Sequence, residues 1–313
     1  MGDPGGIGPE ISLKAALDKR VLAVCQPVVV GTRAALEAHA KASRLAVKNV
    51  QFVETEPRPF RIGAIDAEHG LAALDAARAA IRGAMRGDYA AVLAAPHSET
   101  AIHAAGIEFD GYPSFVARTA GLAPQDGILM LCFPHAGRDV RIAHVTLHAG
   151  VRHALAMIST QRILATLRSV DRALKRMAFE KPRIAVGGIN PHAGEGGLFG
   201  DEEAGSVVPA IEAARAEGIV ADGPIGADTL LQRPAYDAYV VMLHDHGHIP
   251  AKLLAPNGAV ALTIGTPVLF SSVAHGAAFD IAGQNRAEPA AMVEAITRLA
   301  GRRRRGPPTA KMD

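Results

Sequence analysis

Apolar segments rich in β-branched residues alternate along this chain with alanine-rich segments of helical periodicity, and this alternation limits the possible folds more than any other feature. The apolar segments are typical of buried strands and lie at residues 27–31, 89–96, 128–133, 140–147, 183–189, 239–243 and 259–264. The helical segments lie at residues 70–86, 152–176, 202–217 and 288–299. Strands and helices in alternation predict a layered α/β fold.

The composition excludes several classes of protein. The 313 residues allow about two domains, and 49% hydrophobic with 20% charged residues is typical of a globular chain. A formal charge of +2 gives no chain-wide basic field for nucleic acid. The start of the chain lacks the pattern of a signal peptide, and no apolar stretch reaches the length of about 18 residues that spans a membrane. A chain with only two cysteines, Cys25 and Cys132, is typical of a reducing compartment, so we expect a cytoplasmic protein. From the charge and the lack of a long apolar stretch we expect neither nucleic-acid nor membrane partners.

Three histidines lie where a predicted strand runs into a Gly-, Pro- or Asp-bearing loop: His144, His192 and His244. Strand ends are where open α/β sheets bind ligands. A single histidine there is more often a structural residue, but three together predict a divalent metal site. Imidazole ligands favour zinc, with cobalt or nickel as alternatives, whereas a carboxylate ligand such as Asp245 would favour magnesium or manganese.

The histidines at positions 244, 246 and 248 have a period of two, which would place them on one face of a continuing strand. Gly247 and Pro250 indicate a loop instead. We therefore expect at most one or two of these three imidazoles to bind the metal.

Three glycine-rich segments are candidates for close approach to a ligand. Residues 2–10, Gly-Asp-Pro-Gly-Gly-Ile-Gly-Pro-Glu, precede a helix expected to begin at Pro9, and they do not match the dinucleotide fingerprint. Residues 194–197 lead towards a helix whose N-terminus could receive an anion. Residues 275–283 enter the last helical segment. A plain turn or connection explains the second and the third segment equally well.

Five motifs in order resemble the 4-hydroxythreonine-4-phosphate dehydrogenase family: residues 2–10, 190–197, 223–229, 244–247 with Lys252, and 275–283. One motif alone would be weak, but the ordered set over nearly the whole chain is specific. The resemblance implies an isocitrate/isopropylmalate dehydrogenase-like fold with two α/β/α domains, an active site in the cleft between them, and a homodimer that completes the site. We expect a first domain at 1–110 plus 276–302, a second at 111–275 that carries the metal-site histidines and dimer contacts, and a disordered basic tail at 303–313.

The resemblance also implies roles for individual residues. His144, His192 and His244 take the places of the family's metal ligands, and Lys252 takes the place of a lysine that contacts the substrate. Asp228 and Asp245 lie in motif positions beside the cleft, where we assign them proton-transfer or supporting roles in catalysis. NAD is the implied cofactor. Its predicted binding residues are Gly194, Gly196, His275, Gly276, Asp280, Ile281 and Gly283.

The chain departs from the family where phosphate-handling members bind their substrate. Tyr112, Pro113 and Ser114 follow Gly111 where those members have a His-Thr pair, and Ala261 and Phe270 stand where they have Asn and Arg. Loss of the arginine removes a charge-assisted contact of about 1.5 to 3 kcal/mol, which disfavours a phosphorylated substrate. With the motifs at 96–103, 111–114, 144–148 and 243–258, the chain resembles the branch that contains terephthalate 1,2-cis-dihydrodiol dehydrogenase. Tyr112, Pro113, Ser114 and Lys252 are our predicted substrate-binding residues.

The branch implies one chemistry for a small-molecule substrate. A metal polarises a secondary alcohol, a hydride passes to NAD, and the ketone, which lies β to a carboxylate, loses carbon dioxide. For 1,2-dihydroxy-3,5-cyclohexadiene-1,4-dicarboxylate the product is a catechol such as protocatechuate. Three histidines are candidates to bind the second carboxylate of the substrate: His97, His103 and His148. A histidine in such a position is more often a structural residue or a residue at the rim of the site.

Two alternatives stay open at this point. The first is an oxidative decarboxylase of a phosphorylated hydroxy acid, such as 4-hydroxythreonine-4-phosphate dehydrogenase, in which Arg118 or Arg141 replaces the lost phosphate contacts. The second is a catalytically silent binding protein, which the retention of all three histidines disfavours. Relatives also carry a strand before the Gly-Asp-Pro loop, whereas Met1 here directly precedes Gly2. We therefore expect that the start of the chain has been assigned too late.

Overall fold

Two sheets form the centre of the chain in the computed structural model, which describes residues 1–233, 235–255, 259–273 and 275–300. A small parallel sheet contains β1 (Val28–Gly31) and β2 (Gln51–Glu54). The larger sheet has the order β3-β10-β9-β4-β5-β8-β6-β7. Its strands are β3 (Val92–Ala94), β4 (Ile128–His135), β5 (Arg138–His144), β6 (Arg183–Gly187), β7 (Val220–Ile225), β8 (Ala238–Val241), β9 (Val260–Ile264) and β10 (Phe270–Val273). All seven predicted strands are confirmed, and β2, β7 and β10 were not predicted.

The strands β5, β8, β6 and β7 are parallel, whereas β4 and β9 pair antiparallel with their neighbours. The carboxyl ends of β5, β8 and β6 therefore lie along one edge of the sheet. His144 is the last residue of β5, and its register partner on β8 is Val241. The three predicted histidines lie at or after this edge: His144 ends β5, His192 follows β6 and His244 follows β8.

The helices of the described residues are α1 (Gly8–Ala16), α2 (Lys19–Leu22), α3 (Arg33–Ala42), α4 (Ala67–Arg86), α5 (Glu99–Ala104), α6 (Tyr112–Thr119), α7 (Val151–Met157), α8 (Thr160–Arg176), α9 (Val208–Ala216), α10 (His244–Leu254) and α11 (Ala290–Leu299). The predicted helix at 152–176 is interrupted, because Ile158 is extended and the Ser159 side chain accepts a hydrogen bond from the Arg162 N–H to begin α8. A π-helical turn at Glu203–Val207 precedes α9. None of these helices is long and apolar enough to cross a membrane.

The prediction of a loop at residues 244–248 is wrong, because these residues form the first turns of α10. Gly and Pro have low intrinsic helix propensity, which is the signal that indicated a loop. In the folded chain α10 packs on β4, β5 and β8, and its Ala251 is buried in the apolar cluster against that face. Tertiary packing has therefore overridden local propensity.

Both faces of the larger sheet are buried. Met130 on β4 packs in a cluster with α8 and α9, whereas its neighbours Leu129 and Leu131 pack on the opposite face with Tyr239 and Ala251. This alternation is what a strand covered on both sides requires. The predicted layered α/β class is confirmed.

The predicted division into two domains is not tested by these contacts and stays a prediction. Strand β3, from the predicted first domain, pairs in parallel with β10, from the predicted second domain. The predicted disordered tail at 303–313, with residues 301 and 302 of the first domain, lies outside the described residues.

Candidate active site

Three cationic or imidazole side chains follow one another at intervals of four residues along α10: His244, His248 and Lys252. Residues four apart share a face of a helix. The rings of His244 and His248 are stacked, with centroids 3.8 Å apart and planes 8° from parallel. Helical geometry therefore gathers residues that the sequence had suggested would lie in a loop.

His144, at the end of β5, lies beneath this face of α10. Its ring centroid is 4.8 Å from that of His248, and the residue is 2% exposed. Its Nδ1 is 3.3 Å from the carbonyl oxygen of Leu129 and donates to it, because a carbonyl can only accept. Nε2 therefore carries the lone pair, and this buried atom has no hydrogen-bond partner.

Burial and neighbouring imidazoles keep His144 and His248 neutral. Burial and the neighbouring histidines lower the pKa of His144 to about 3, and burial with His244 lowers the pKa of His248 to about 4. Neutral imidazole is the form that binds metal, and a ligating histidine usually donates its other ring N–H to a carbonyl or carboxylate. His144, with its unpartnered Nε2, fits that description.

His244 has a similar arrangement at the surface. Its Nδ1 lies 2.7 Å from the carboxylate of Asp245, which is 74% exposed. Donation from Nδ1 to Asp245 leaves the lone pair of His244 on Nε2. Asp245 thus orients a candidate ligand. His246, on another face of α10, has a buried Nδ1 without a partner, and burial lowers its pKa.

His148 connects this histidine cluster to the start of α6. Its ring is 5.7 Å from His244, and its Nδ1 is 3.3 Å from the carbonyl oxygen of Asp110. The carboxylate of Asp110 in turn accepts a hydrogen bond from the Ser114 hydroxyl and pairs with Arg118 at 3.0 Å. The backbone at 110–111 therefore borders the cluster.

The predicted substrate residues of this segment are buried. Tyr112 packs its ring 4.9 Å from that of Phe270 and 4.7 Å from that of His97. Burial raises the pKa of Tyr112, and Phe270 is 0% exposed. Pro113 and Ser114 are also buried. The aromatic rings of Tyr112 and Phe270 thus form an apolar wall.

The histidines predicted to bind the second carboxylate of the substrate lie in different surroundings. His97 is packed between Phe109 and Tyr112, burial lowers its pKa, and its buried Nε2 has no partner. His103 is exposed on α5. Of the alternative cations, Arg141 is engaged by the carbonyl oxygens of Asp139 and Asp237 and lies over the ring of Phe179.

His192 forms a second group with Asp228. Its Nδ1 is 3.6 Å from the Asp228 carboxylate, and the two side chains are 62% and 56% exposed. In the described part of one chain, no hydrogen bond, ion pair or ring contact joins this pair to His144 or His244, and no three His, Cys, Asp or Glu side chains are placed to hold one metal ion. The predicted three-histidine site is therefore not assembled within a single chain.

The backbone around His192 has an unusual left-handed conformation. Six consecutive residues have positive φ angles: His192 at 51°, Ala193 at 55°, Gly194 at 79°, Glu195 at 43°, Gly196 at 71° and Gly197 at 98°. Such a conformation costs about 1–2 kcal/mol for each residue that has a Cβ atom, so it must be held by its surroundings.

Glu203 holds the backbone immediately before this segment, and the sequence analysis did not identify it. Its Oε1 accepts hydrogen bonds from the backbone N–H groups of Ile189 and Asn190, both at 2.7 Å. Its Oε2 accepts another from the Asn190 side chain at 3.0 Å. Burial opposes the charge, but these hydrogen bonds lower the pKa of Glu203 overall. The only sequence signal was an acidic residue in a predicted helix, which is too common to indicate such a role.

The predicted cofactor residues fall in two places. Gly194 and Gly196 lie in the left-handed segment, whereas residues 275–283 pack against the first glycine loop. There the Ile7 N–H donates to the Ala277 carbonyl at 2.8 Å, and a Cβ atom on Gly6 would lie 2.7 Å from the Cβ of Ala277. The remaining predicted residues, His275, Gly276, Asp280, Ile281 and Gly283, are all in this second segment.

The first glycine loop is held by buried polar groups. Asp3 is 0% exposed, accepts from the Gly5 N–H at 2.8 Å and lies 3.4 Å from Nδ1 of His69. Burial raises the pKa of Asp3. Nε2 of His39 donates to the Pro4 carbonyl at 2.9 Å. Neither histidine belongs to a motif that the sequence analysis had selected.

The family model described as pyridoxal phosphate biosynthetic protein PdxA matches residues 23–299. The chain belongs to the PdxA family. A 1,2-dihydroxy-3,5-cyclohexadiene-1,4-dicarboxylate dehydrogenase from a Comamonas species is 44% identical over 303 residues, with 96% of this chain and 95% of the relative covered. A 4-hydroxythreonine-4-phosphate dehydrogenase from Geobacter metallireducens is 38% identical, with 95% and 92% covered.

Solved structures agree with this membership of the PdxA family. The crystal structure of a terephthalate 1,2-cis-dihydrodiol dehydrogenase from Burkholderia xenovorans LB400 is 42% identical, with a TM-score of 0.74 and 96% of each chain covered. A β-decarboxylating dehydrogenase from Thermococcus kodakarensis, 17% identical with a TM-score of 0.53 over 96% of this chain and 79% of the other, shares the fold. The predicted family and its isocitrate/isopropylmalate dehydrogenase-like fold are confirmed, and dehydrogenase is the class of enzyme that the PdxA family and these relatives support.

Proposed function

We propose that this PdxA-family protein oxidises a cis-dihydrodiol carboxylate with NAD and releases carbon dioxide to give a catechol. The substrate class is that of 1,2-dihydroxy-3,5-cyclohexadiene-1,4-dicarboxylate, and the product is protocatechuate or a close analogue. The observation that carries the proposal is the apolar wall of Phe270 and Tyr112, whose ring centroids lie 4.9 Å apart and whose side chains are both buried. The wall itself carries no cation to compensate the desolvation of a phosphate dianion, whereas it does not oppose an uncharged ring.

The reaction balances without a further oxidant. The hydroxyl group on C2 of the dihydrodiol gives up its proton, and the hydrogen bonded to C2 leaves as a hydride to NAD. The resulting ketone lies β to the C1 carboxylate, whose bond to C1 breaks with loss of carbon dioxide. The electron pair of that bond forms an enolate, which takes up a proton and becomes the aromatic catechol.

A divalent ion, zinc in our proposal with magnesium, manganese or cobalt as alternatives, would polarise the alcohol oxygen and stabilise the enolate when bound. The unpartnered Nε2 of His144 and Nε2 of His244 would hold it from one chain. Because no hydrogen bond, ion pair or ring contact joins His192 to that pair in the part of the chain that the structure describes, we propose that a second copy supplies it. The protein would then act as a homodimer with a shared active site.

The remaining residues have roles that follow from where their charges lie. Asp245 fixes the ring of His244, and Asp228 lies close enough to His192 to orient it. Lys252 is exposed two turns after His244, where its ammonium can meet a carboxylate or move a proton. We propose that NAD binds along residues 275–283 and the left-handed segment at Gly194 and Gly196, and that the enzyme is cytoplasmic.

The experiment is the formation of NADH by the purified protein, followed by absorbance, with and without a chelator. A terephthalate cis-dihydrodiol and 4-phosphohydroxythreonine are offered separately. We expect turnover of the dihydrodiol alone, abolished by the chelator and restored by metal. Turnover of the phosphate ester alone would overturn the proposed substrate class, and chelator-resistant turnover would overturn the role of the metal.

One observation favours the second candidate, a phosphorylated hydroxy acid. Arg118 lies on α6 and pairs with Asp110 at 3.0 Å, next to the backbone that borders the histidine cluster. If this arginine replaces the lost phosphate contacts, Arg118→Gln would raise the KM for the phosphate ester at least about tenfold and leave the KM for the dihydrodiol unchanged.

A further inference from the structure

A cavity of about 300 Å³ lies between the C-terminal half of α8 and the turn that joins β9 to β10. Helix α8 contributes Ser169, Arg172, Ala173 and Arg176 to its lining, and residues 263–269 form the other side. None of the described residues that line this cavity belongs to the histidine cluster, to α10 or to α6. Its volume is at the lower limit of the range typical of small-molecule sites, about 300 to 1,000 Å³.

Two guanidinium groups lie on one side of the cavity. Arg172 and Arg176 are four residues apart and therefore share a face of α8. Nη2 of Arg172 donates to Oγ of Ser169 at 3.1 Å, and that hydroxyl donates to the Ala165 carbonyl at 2.8 Å. These two hydrogen bonds orient the Arg172 side chain at the wall of the cavity.

The positive charges of these two arginines have no carboxylate partner in the part of the chain that the structure describes. The one acidic residue of α8, Asp171, is engaged by Lys175 at 2.8 Å. No Asp or Glu is among the described residues that line the cavity. Guanidinium groups bind phosphate oxygens through paired, charge-assisted hydrogen bonds, so this side of the cavity is suited to an anion.

The turn on the other side is held in place and is largely apolar. Gly265 has a φ angle of 84°, and a Cβ atom there would collide with the carbonyl oxygen of Asp126. Oγ1 of Thr266 donates to the Val268 carbonyl at 2.9 Å. Pro267, Val268 and Leu269 add apolar surface to the lining. The cavity thus has a cationic side and an apolar side.

We propose that this cavity binds a phosphate monoester of a small molecule. The phosphoryl group lies between Arg172 and Arg176, and the organic part packs against residues 267–269. A phosphate monoester carries a charge of about −1.5 to −2 at pH 7, which matches two guanidinium groups, whereas a carboxylate matches only one. The inference does not depend on the proposed reaction, because that reaction assigns no role to any residue of this cavity.

The experiment is calorimetric titration of the full chain at fixed ionic strength with three probes: phenyl phosphate, inorganic phosphate and benzoate. We expect phenyl phosphate to bind once per chain through the two arginines. Inorganic phosphate has no organic part to pack on the turn and should bind at least about fivefold more weakly. Benzoate has the ring but a single negative charge and should bind at least about tenfold more weakly.

Three variants locate the binding. Arg172→Gln and Arg176→Gln should each weaken the binding of phenyl phosphate at least about tenfold and leave the circular dichroism unchanged. Arg168→Gln is the matched control, because Arg168 lies on α8 one turn before Arg172, pairs with Glu217 at 2.7 Å and is not among the described residues of the lining. It removes the same charge from the same helix and should change the affinity less than about twofold.

Modification of arginines by phenylglyoxal, read by mass spectrometry of peptides, gives a second measurement. Phenyl phosphate should protect Arg172 and Arg176 and should not protect Arg168. The proposal is overturned if all three variants bind phenyl phosphate alike, or if the protected arginines lie elsewhere, as they would with binding in the active site. Equal affinity for inorganic phosphate or for benzoate would also overturn it, because the cavity would then not select a phosphate monoester.

Discussion

A Cβ atom on residue 247 would lie only 2.3 Å from Nε2 of His144, so the glycine at this position allows α10 to pack directly against the imidazole at the end of β5. The same approach determines how His244 and His248, on either side of Gly247 in the sequence, lie above that ring. A glycine inside a helix normally costs about 1 kcal/mol, and here the cost is offset by the close contact between helix and strand.

The first prediction follows from this contact. Gly247→Ala improves helix propensity but forces the His144 ring or α10 to move, because no real Cβ contact is as short as 2.3 Å. We expect the chelator-sensitive activity to fall at least about tenfold while helix content is retained. Activity and circular dichroism of the purified variant are the measurements.

Gly205→Ala is the matched control for this substitution. Gly205 lies in the π-helical turn before α9, is exposed, and has no atom within 4 Å of a Cβ placed on it. This variant should keep full activity. Equal activity of the two alanine variants would show that the contact between Gly247 and His144 is not needed.

The fold and part of the candidate site were accessible from the sequence. Periodicity predicted the strands that end at His144 and precede His244, because a buried strand needs a continuous apolar segment. It could not predict α10, whose Gly247 is favoured by a contact with β5 and not by local propensity. It could not find Glu203 either, since that carboxylate acts on backbone 13 to 14 residues away in the sequence.

The second prediction concerns the apolar wall. Phe270 is fully buried against Tyr112, so Phe270→Ala should lower the free energy of unfolding by about 3–5 kcal/mol. Phe270→Leu, which removes fewer atoms and leaves a smaller void, should cost less than the alanine variant. Urea unfolding measures both values. A small effect of the alanine variant would contradict a packed wall.

The same position tests substrate choice. Phe270→Arg places a cation beside the buried Tyr112 ring, where desolvation opposes it. We therefore expect lost stability and no gain of turnover with 4-phosphohydroxythreonine from this single substitution. Efficient turnover of the phosphate ester by Phe270→Arg would show that the wall is open to solvent and substrate.

The third prediction concerns Glu203. Glu203→Gln replaces an oxygen by an NH₂ group among three N–H donors, so one buried group loses its partner, at a cost of about 1–3 kcal/mol. We expect faster amide exchange at Asn190 and weaker binding of metal in a titration, because the segment that carries His192 is no longer held. Glu212→Gln, an exposed substitution on α9, serves as the control and should change neither quantity.

The effect of pH on Glu203 has a definite sign. Its pKa is lowered in the folded protein, so the stabilisation is fully present above the ordinary value of 4.5 and is lost as the pH falls through the folded value. Exchange at Asn190 should therefore accelerate below pH 4.5 in the wild-type chain. In Glu203→Gln this dependence should be absent, and its persistence there would assign the effect to another group.

The last prediction uses the buried amino group of Met1. Burial lowers the pKa of the Met1 nitrogen from 8.0 to about 5, so between these values the unfolded chain binds a proton that the folded chain does not. The free energy of unfolding should therefore rise with pH across this window, with a slope from this group that approaches about 1.4 kcal/mol per pH unit in the middle of the window and falls to about half of that at pH 8.0. Histidines with lowered pKa values add a slope of the same sign below 6.5, so urea unfolding between pH 7 and 8 best isolates Met1. Joining residues to Met1 turns the amine into an amide that does not titrate and can still donate to Val30. The slope should then disappear, whereas an equal slope in the extended chain would assign the effect to another group.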